Sequence, residues 1–95
     1  MSVNNVVILR AKEDKQDSFA EIMKQSKVKL MASAGCLSVK MYVDETDPNT
    51  FILIEEWESK EKHNEYFGRL IEAGEWKIMS EHLASEPEGR YCTEL

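Results

Sequence analysis

From Leu37 to Val43 apolar and polar side chains alternate: Leu37, Val39, Met41 and Val43 share one face, and Ser38, Lys40 and Tyr42 the other. A period of two predicts a strand with one buried face. After a turn, Phe51-Ile52-Leu53-Ile54 is apolar at every position. Such a run predicts a strand that needs cover on both faces. Asp47-Pro48-Asn49-Thr50 lies between the two. Proline presets φ there, and Asp and Asn hydrogen-bond the local backbone, so the segment reads as the turn of a hairpin.

Val6-Val7-Ile8-Leu9 is another apolar, β-branched run and predicts a first strand. Charged residues from Lys12 to Asp17 open a helix whose apolar stripe is Phe19, Ile22, Met23, Ser26 and Leu30, continued by Met31 and Ala34. Ser18 and Glu21 have capping-box spacing, and Gly35 stands where the helix should be capped at its C-terminus. Ser59 is a natural N-cap for a second helix carrying His63, Tyr66, Phe67, Leu70 and Ile71 on one side. Gly74 interrupts it, and Trp76, Met79 and Leu83 predict a further helical piece ended by Pro87 and Gly89. Tyr91 to Leu95 is the expected last strand.

The order β-α-β-β-α-(α)-β predicts an α+β, ferredoxin-like βαββαβ fold with a four-stranded antiparallel sheet. Residues 1–95 read as a single domain. Its helices cover one sheet face, yet the first and third strands are apolar on both. No element is left over for the second face, so a two-fold homodimer packed sheet to sheet is expected.

Composition narrows the partners. A net charge of -6, with no basic patch, argues against nucleic acid or an anionic membrane surface as a partner. No apolar run has the length of a membrane span, and Met1 to Asn5 lack the cationic and apolar regions of a signal peptide. Cys36 and Cys92 have no CxxC spacing, so reduced thiols and a cytoplasmic location are expected. No nucleophile motif, phosphate loop or dinucleotide fingerprint is present.

Gly35-Cys36-Leu37 leading into Tyr42, the Asp-Pro turn, and Phe51 through Trp57-Glu58-Ser59 resemble the antibiotic biosynthesis monooxygenase family. Tyr66-Phe67, Gly74 and Glu86-Pro87-Glu88-Gly89-Arg90-Tyr91 extend the resemblance over nearly the whole chain. It implies a dimeric α/β barrel and oxygenation of a small quinol or aromatic substrate without metal, flavin or haem. Two departures stand out. The second-helix histidine of many members falls on Tyr66 here, with His63 one turn earlier. Of the Asn, Trp and His set of haem-degrading relatives only Asn5 has a counterpart, since the other two positions hold Tyr66 and, nearby, Trp76.

The candidate catalytic residues are His63 and Tyr66, and the candidate substrate-binding residues are Asn5 and Trp57. His63 is either a general base or a helix-flanking residue packed beside Phe67 and Leu70. Tyr66 either hydrogen-bonds a substrate oxygen or walls the cleft with its hydroxyl in water. Asn5 either donates its amide to a substrate oxygen or is solvated. Trp57 and Trp76 either stack on a planar ligand or belong to core and interface. One of Glu55 and Glu56 must face inward, as a base or as the partner of a lysine across the interface. Arg90 suits a subunit salt bridge or an anionic substrate, His82 the surface, and Cys36 a structural role. No carboxylate stands at ligand spacing from the two histidines, so no metal is expected. The alternatives to an oxygenase are a non-catalytic small-ligand-binding or structural dimer, and an isomerase or lyase acting on a small oxygenated metabolite.

Overall fold

In the computed structural model, which describes residues 2–95, the elements run β1 (Val3–Arg10), a 3-10 turn (Glu13–Lys15), α1 (Gln16–Met31), β2 (Cys36–Val43), β3 (Thr50–Trp57), α2 (Lys60–Glu72), α3 (Glu75–Ser80) and β4 (Glu88–Cys92). The strands form one antiparallel sheet in the order β2-β3-β1-β4. α1 joins β1 to β2 across the intervening β3, the split βαβ connection expected of a ferredoxin-like fold.

Local chemistry explains most of the boundaries. The Ser59 side chain accepts from the Lys62 N–H at 3.3 Å and starts α2 as predicted. The capping box at Ser18 is not made: α1 begins earlier, and the Ser18 hydroxyl donates to the Lys15 carbonyl instead. Gly35 does take a left-handed φ of 89°, but in the turn after the Ala32 cap rather than at the cap itself. There the chain passes so close to α2 that a Cβ on residue 35 would lie 2.6 Å from the Lys62 Cγ. In the β2–β3 turn, Asp47 Oδ1 accepts from the Asn49 N–H and Asp44 Oδ1 from the N–H groups of Thr46 and Asp47. Asn49 plays no such part, since its Oδ1 is buried without a partner.

Alternation then sorts the sheet into two faces. Val3, Leu9, Val39, Phe51, Leu53 and Trp57 are buried and form a core with Phe19, Met23 and Leu30 of α1 and Leu70 of α2. Phe19 meets Phe51 edge to face at 5.1 Å. A bulge between Cys36 and Ser38 breaks the alternation of β2, so Leu37 is exposed although the pattern put it with Val39. On the opposite face Val6 and Ile8 of β1 pair with Ile54 and Ile52 of β3, half-buried and with no helix above them. The predicted face apolar on both sides of β3 is therefore present. β4 starts at Glu88, earlier than the expected Tyr91, because Gly89 pairs with Val7.

Candidate active site

Sheet register assembles the site. Asn5 lies opposite Glu55 on one flank and Tyr91 on the other, so all three side chains stand in a row on the helix-covered face. Trp57 follows Glu55 by two residues and shares that face. The Ser59 cap sets the phase of α2, and its first turn brings His63 down onto the row.

The contacts form one connected network. Glu55 is only 4% exposed and Asn5 8%, and both are polar groups inside a core. Glu55 Oε1 accepts from Trp57 Nε1 at 2.8 Å and from Asn5 Nδ2 at 3.3 Å. Asn5 Nδ2 also reaches His63 Nε2 at 3.1 Å. An amide nitrogen can only donate, so Nε2 accepts and the imidazole proton sits on Nδ1. From there it donates to the Tyr91 hydroxyl at 2.6 Å, which donates in turn to Asn64 Oδ1 at 3.0 Å. Every link has a donor and an acceptor, which is the condition for burying Asn5 and Glu55 at its inner end.

This network settles several expectations. Glu55, not Glu56, faces inward, and its partners are Asn5 and Trp57 rather than a lysine. His63 packs near Phe67, with ring centroids 6.2 Å apart, yet both ring nitrogens are engaged in hydrogen bonds. Burial pushes its pKa down and the Glu55 carboxylate 3.7 Å away opposes that, with burial the stronger.

Beside the network lies a cavity of about 220 Å³ between the sheet and the helices. Its walls are apolar, with Leu9, Leu53, Leu70, Phe67, Trp76 and Met79 among them, and Asn5, Glu55, His63 and Tyr66 give it polar groups. Asn5, His63 and Tyr66 thus converge on one space, as a shared site requires. Burial, then the charge of Glu55, pushes the Tyr66 phenol up to about 12, so it stays protonated as a hydrogen-bond donor.

Trp57, expected to stack on a ligand, does not line the cavity. It is completely buried, with its ring 5.5 Å from those of both His63 and Tyr66, and its indole N–H holds Glu55 in place. Trp76 does line the cavity, edge to face with Phe67 at 5.2 Å. Arg90 pairs with Val6 on the opposite sheet face, away from the site. His82, expected at the surface, is half-buried: Nδ1 lies 2.8 Å from the Ile78 carbonyl, and its ring packs near Phe19. The Cys36 thiol is pushed up by burial first and by Glu55 second, as suits a structural thiol. Among the described residues no group of three His, Cys, Asp or Glu is placed to hold a metal ion, and no helix is long and apolar enough to cross a membrane.

Sequence reading passed over Tyr91 and Asn64. A strand beginning at Glu88 would have placed Tyr91 beside Asn5, but the expected strand began too late to give that register.

Residues 2–69 match the family model described as antibiotic biosynthesis monooxygenase. Among solved structures, a conserved protein of Methanosarcina mazei Go1 is similar over 100% of this chain and 94% of its own, with 18% identity and a TM-score of 0.89. A Mycobacterium tuberculosis protein covers 100% and 96% of the two chains at 16% identity and a TM-score of 0.88. SnoaB, a cofactor-independent oxygenase from Streptomyces nogalater, covers 98% and 92% at 10% identity and a TM-score of 0.84. Identities this low establish a common fold. No curated protein matches the chain.

Proposed function

This chain belongs to the antibiotic biosynthesis monooxygenase family, and we propose that it oxygenates a small quinol or other electron-rich phenol without metal, flavin or haem. One observation carries the reading: an apolar cavity of about 220 Å³ holds a hydrogen-bonded polar cluster of Asn5, Glu55 and His63, and Tyr66 lines the same cavity. A cavity of roughly 150 Å³ accepts benzene, so this one suits a ring or two. Apolar walls hold the ring, and the polar groups meet its hydroxyl.

In the proposed reaction the ring gives an electron to dioxygen and its hydroxyl loses a proton. The resulting oxygen and ring radicals combine at a ring carbon. That carbon loses hydrogen and gains a carbonyl oxygen, while the second oxygen atom leaves as water. Tyr66 donates to the oxygen that becomes anionic along the way. His63 and Asn5 hold each other and Glu55 in position, and Trp57 locks the carboxylate from behind.

We further propose that a second copy of the chain covers the open face built by Val6, Ile8, Ile52 and Ile54, closing two sheets into a barrel. Free Cys36 and Cys92 suit a reducing compartment, which favours the cytoplasm. A monomer in sedimentation at micromolar concentration overturns the dimer.

The test of activity is oxygen uptake over a panel of hydroquinones and naphthols, measured against autoxidation. Uptake above background with one oxygen atom in the product supports the reading, and none across the panel removes it. Turnover without oxygen points instead to an isomerase or lyase. A melting shift with no turnover points to a ligand-binding dimer.

A further inference from the structure

The network leaves one strong acceptor unused. Both protein hydrogen bonds to Glu55 end on Oε1. Among the described residues nothing hydrogen-bonds to Oε2, although Glu55 is 4% exposed and lines the cavity. Oε2 is also not among the occluded, partnerless atoms, of which Asn49 Oδ1 is the one found. It therefore keeps some accessible surface, and the cavity is the space that Glu55 lines. A carboxylate oxygen facing an apolar space lacks a partner that a bound molecule is positioned to supply. No lysine or arginine among the described residues lines that space, so nothing there compensates a second negative charge.

We propose that Glu55 Oε2 is the atom that receives the substrate's hydroxyl, and that it makes the cavity selective for uncharged donors and closed to anions. This rests on the oxygenase reading for its consequence but not for its test. A phenol is far too weak an acid to give its proton to a carboxylate outright. Once the ring has passed an electron to dioxygen, however, its hydroxyl becomes strongly acidic. The O–H bond then breaks towards Oε2, the bonding pair stays on the substrate oxygen, and Glu55 holds the proton until the reduced oxygen leaves as water. His63 is poorly suited to that task because its acceptor nitrogen already takes the Asn5 amide. It acts as a positioning residue that keeps Glu55 aimed.

Three ligands of nearly equal shape separate the possibilities: p-cresol, which donates a hydrogen bond, 4-methylanisole, which does not, and p-toluate, which is an anion. Binding is measured by titration calorimetry or amide chemical shifts at neutral pH. The wild-type protein is expected to bind p-cresol at least tenfold more tightly than 4-methylanisole, in line with a hydrogen bond to a charged group, and to show no saturable binding of p-toluate. In Glu55→Gln the side-chain oxygen still serves Asn5 and Trp57, so an amide N–H turns to the cavity. Preference for p-cresol over 4-methylanisole should fall towards unity while the melting curve stays cooperative. Equal binding of cresol and anisole by the wild type, or tight binding of toluate, overturns the proposal whatever Glu55→Gln does. Cresol selectivity with no oxygen uptake on any substrate retains it and removes the oxygenase reading. Oxygen uptake without that selectivity does the reverse.

Discussion

Replacing Glu55 by glutamine removes a buried charge without changing the outline of the site, and His63 reports the result. In the folded protein burial lowers the His63 pKa from 6.5, and the Glu55 carboxylate partly restores it. Deleting the charge must therefore move the imidazole further down. At the 3.7 Å between His63 Nε2 and Glu55 Oε1, a unit charge pair is worth about 4 kcal/mol at an effective dielectric near 20. Relaxation and water entry reduce this, and a clear fall of the His63 midpoint is the expected result. The chain has only two histidines, so imidazole resonances followed by NMR across pH 4 to 8 resolve both, with His82 as internal control. Asn5→Ala should act in the opposite direction. It withdraws the donor that stabilises the unprotonated Nε2, so the midpoint should rise. A His63 midpoint that rises or stays fixed in Glu55→Gln would refute the geometry from which the site is built.

Five further outcomes follow from the same structure. Because His63 resists protonation in the fold, the unfolded chain binds the extra proton first. Urea midpoints should therefore decline as pH falls below 6.5 and level off beneath the folded pKa; a His63→Gln variant should lose that slope. Gly35→Ala should cost about 2–3 kcal/mol in denaturant titration, combining left-handed strain with contact on Lys62. Gly74→Ala, at φ 77° but in open space, should cost only about 1 kcal/mol. Ser59→Ala should destabilise by about 1 kcal/mol through loss of the α2 cap, read in the same titration. Ile52→Lys with Ile54→Lys should yield monomers in sedimentation while binding of p-cresol persists.

The fold was readable because its signals are local. Alternation in the hairpin, the Ser59 cap and the apolar run of β3 each act over a few residues. The site was only partly readable because its geometry is not local. Asn5 and His63 are 58 positions apart, and their meeting depends on the register of β1 against β3 and on the phase of α2 above them. Either can be off by one residue without disturbing a hydropathy pattern. Tyr91 was missed for that reason: a late start for β4 leaves it with no partner across the sheet. Glu55 was within reach. Leu53 and Trp57 are apolar and two residues to either side of it, so a strand that buries both must turn Glu55 inward and Glu56 outward.

That parity carries more than the identity of one carboxylate. β3 divides its labour residue by residue, with Phe51, Leu53, Glu55 and Trp57 towards the helices and Ile52, Ile54 and Glu56 towards the open face. A slip by one residue would put Glu55 on the apolar outer face and drive isoleucines into the cavity. The strand is pinned against that slip at both ends. At the turn Asp47 accepts from Asn49 and Thr50, and at the far end the Gly35 carbonyl takes the Glu58 N–H just before the Ser59 cap. Between those anchors, the buried hydrogen bond from Trp57 to Glu55 joins two residues of the same strand. Its contribution is thus independent of how the sheet pairs, and the carboxylate keeps its aim once the strand is in register. The proposed binding chemistry on one face and the proposed assembly on the other both depend on this single register, and substitutions that keep the register on either face should leave the other working.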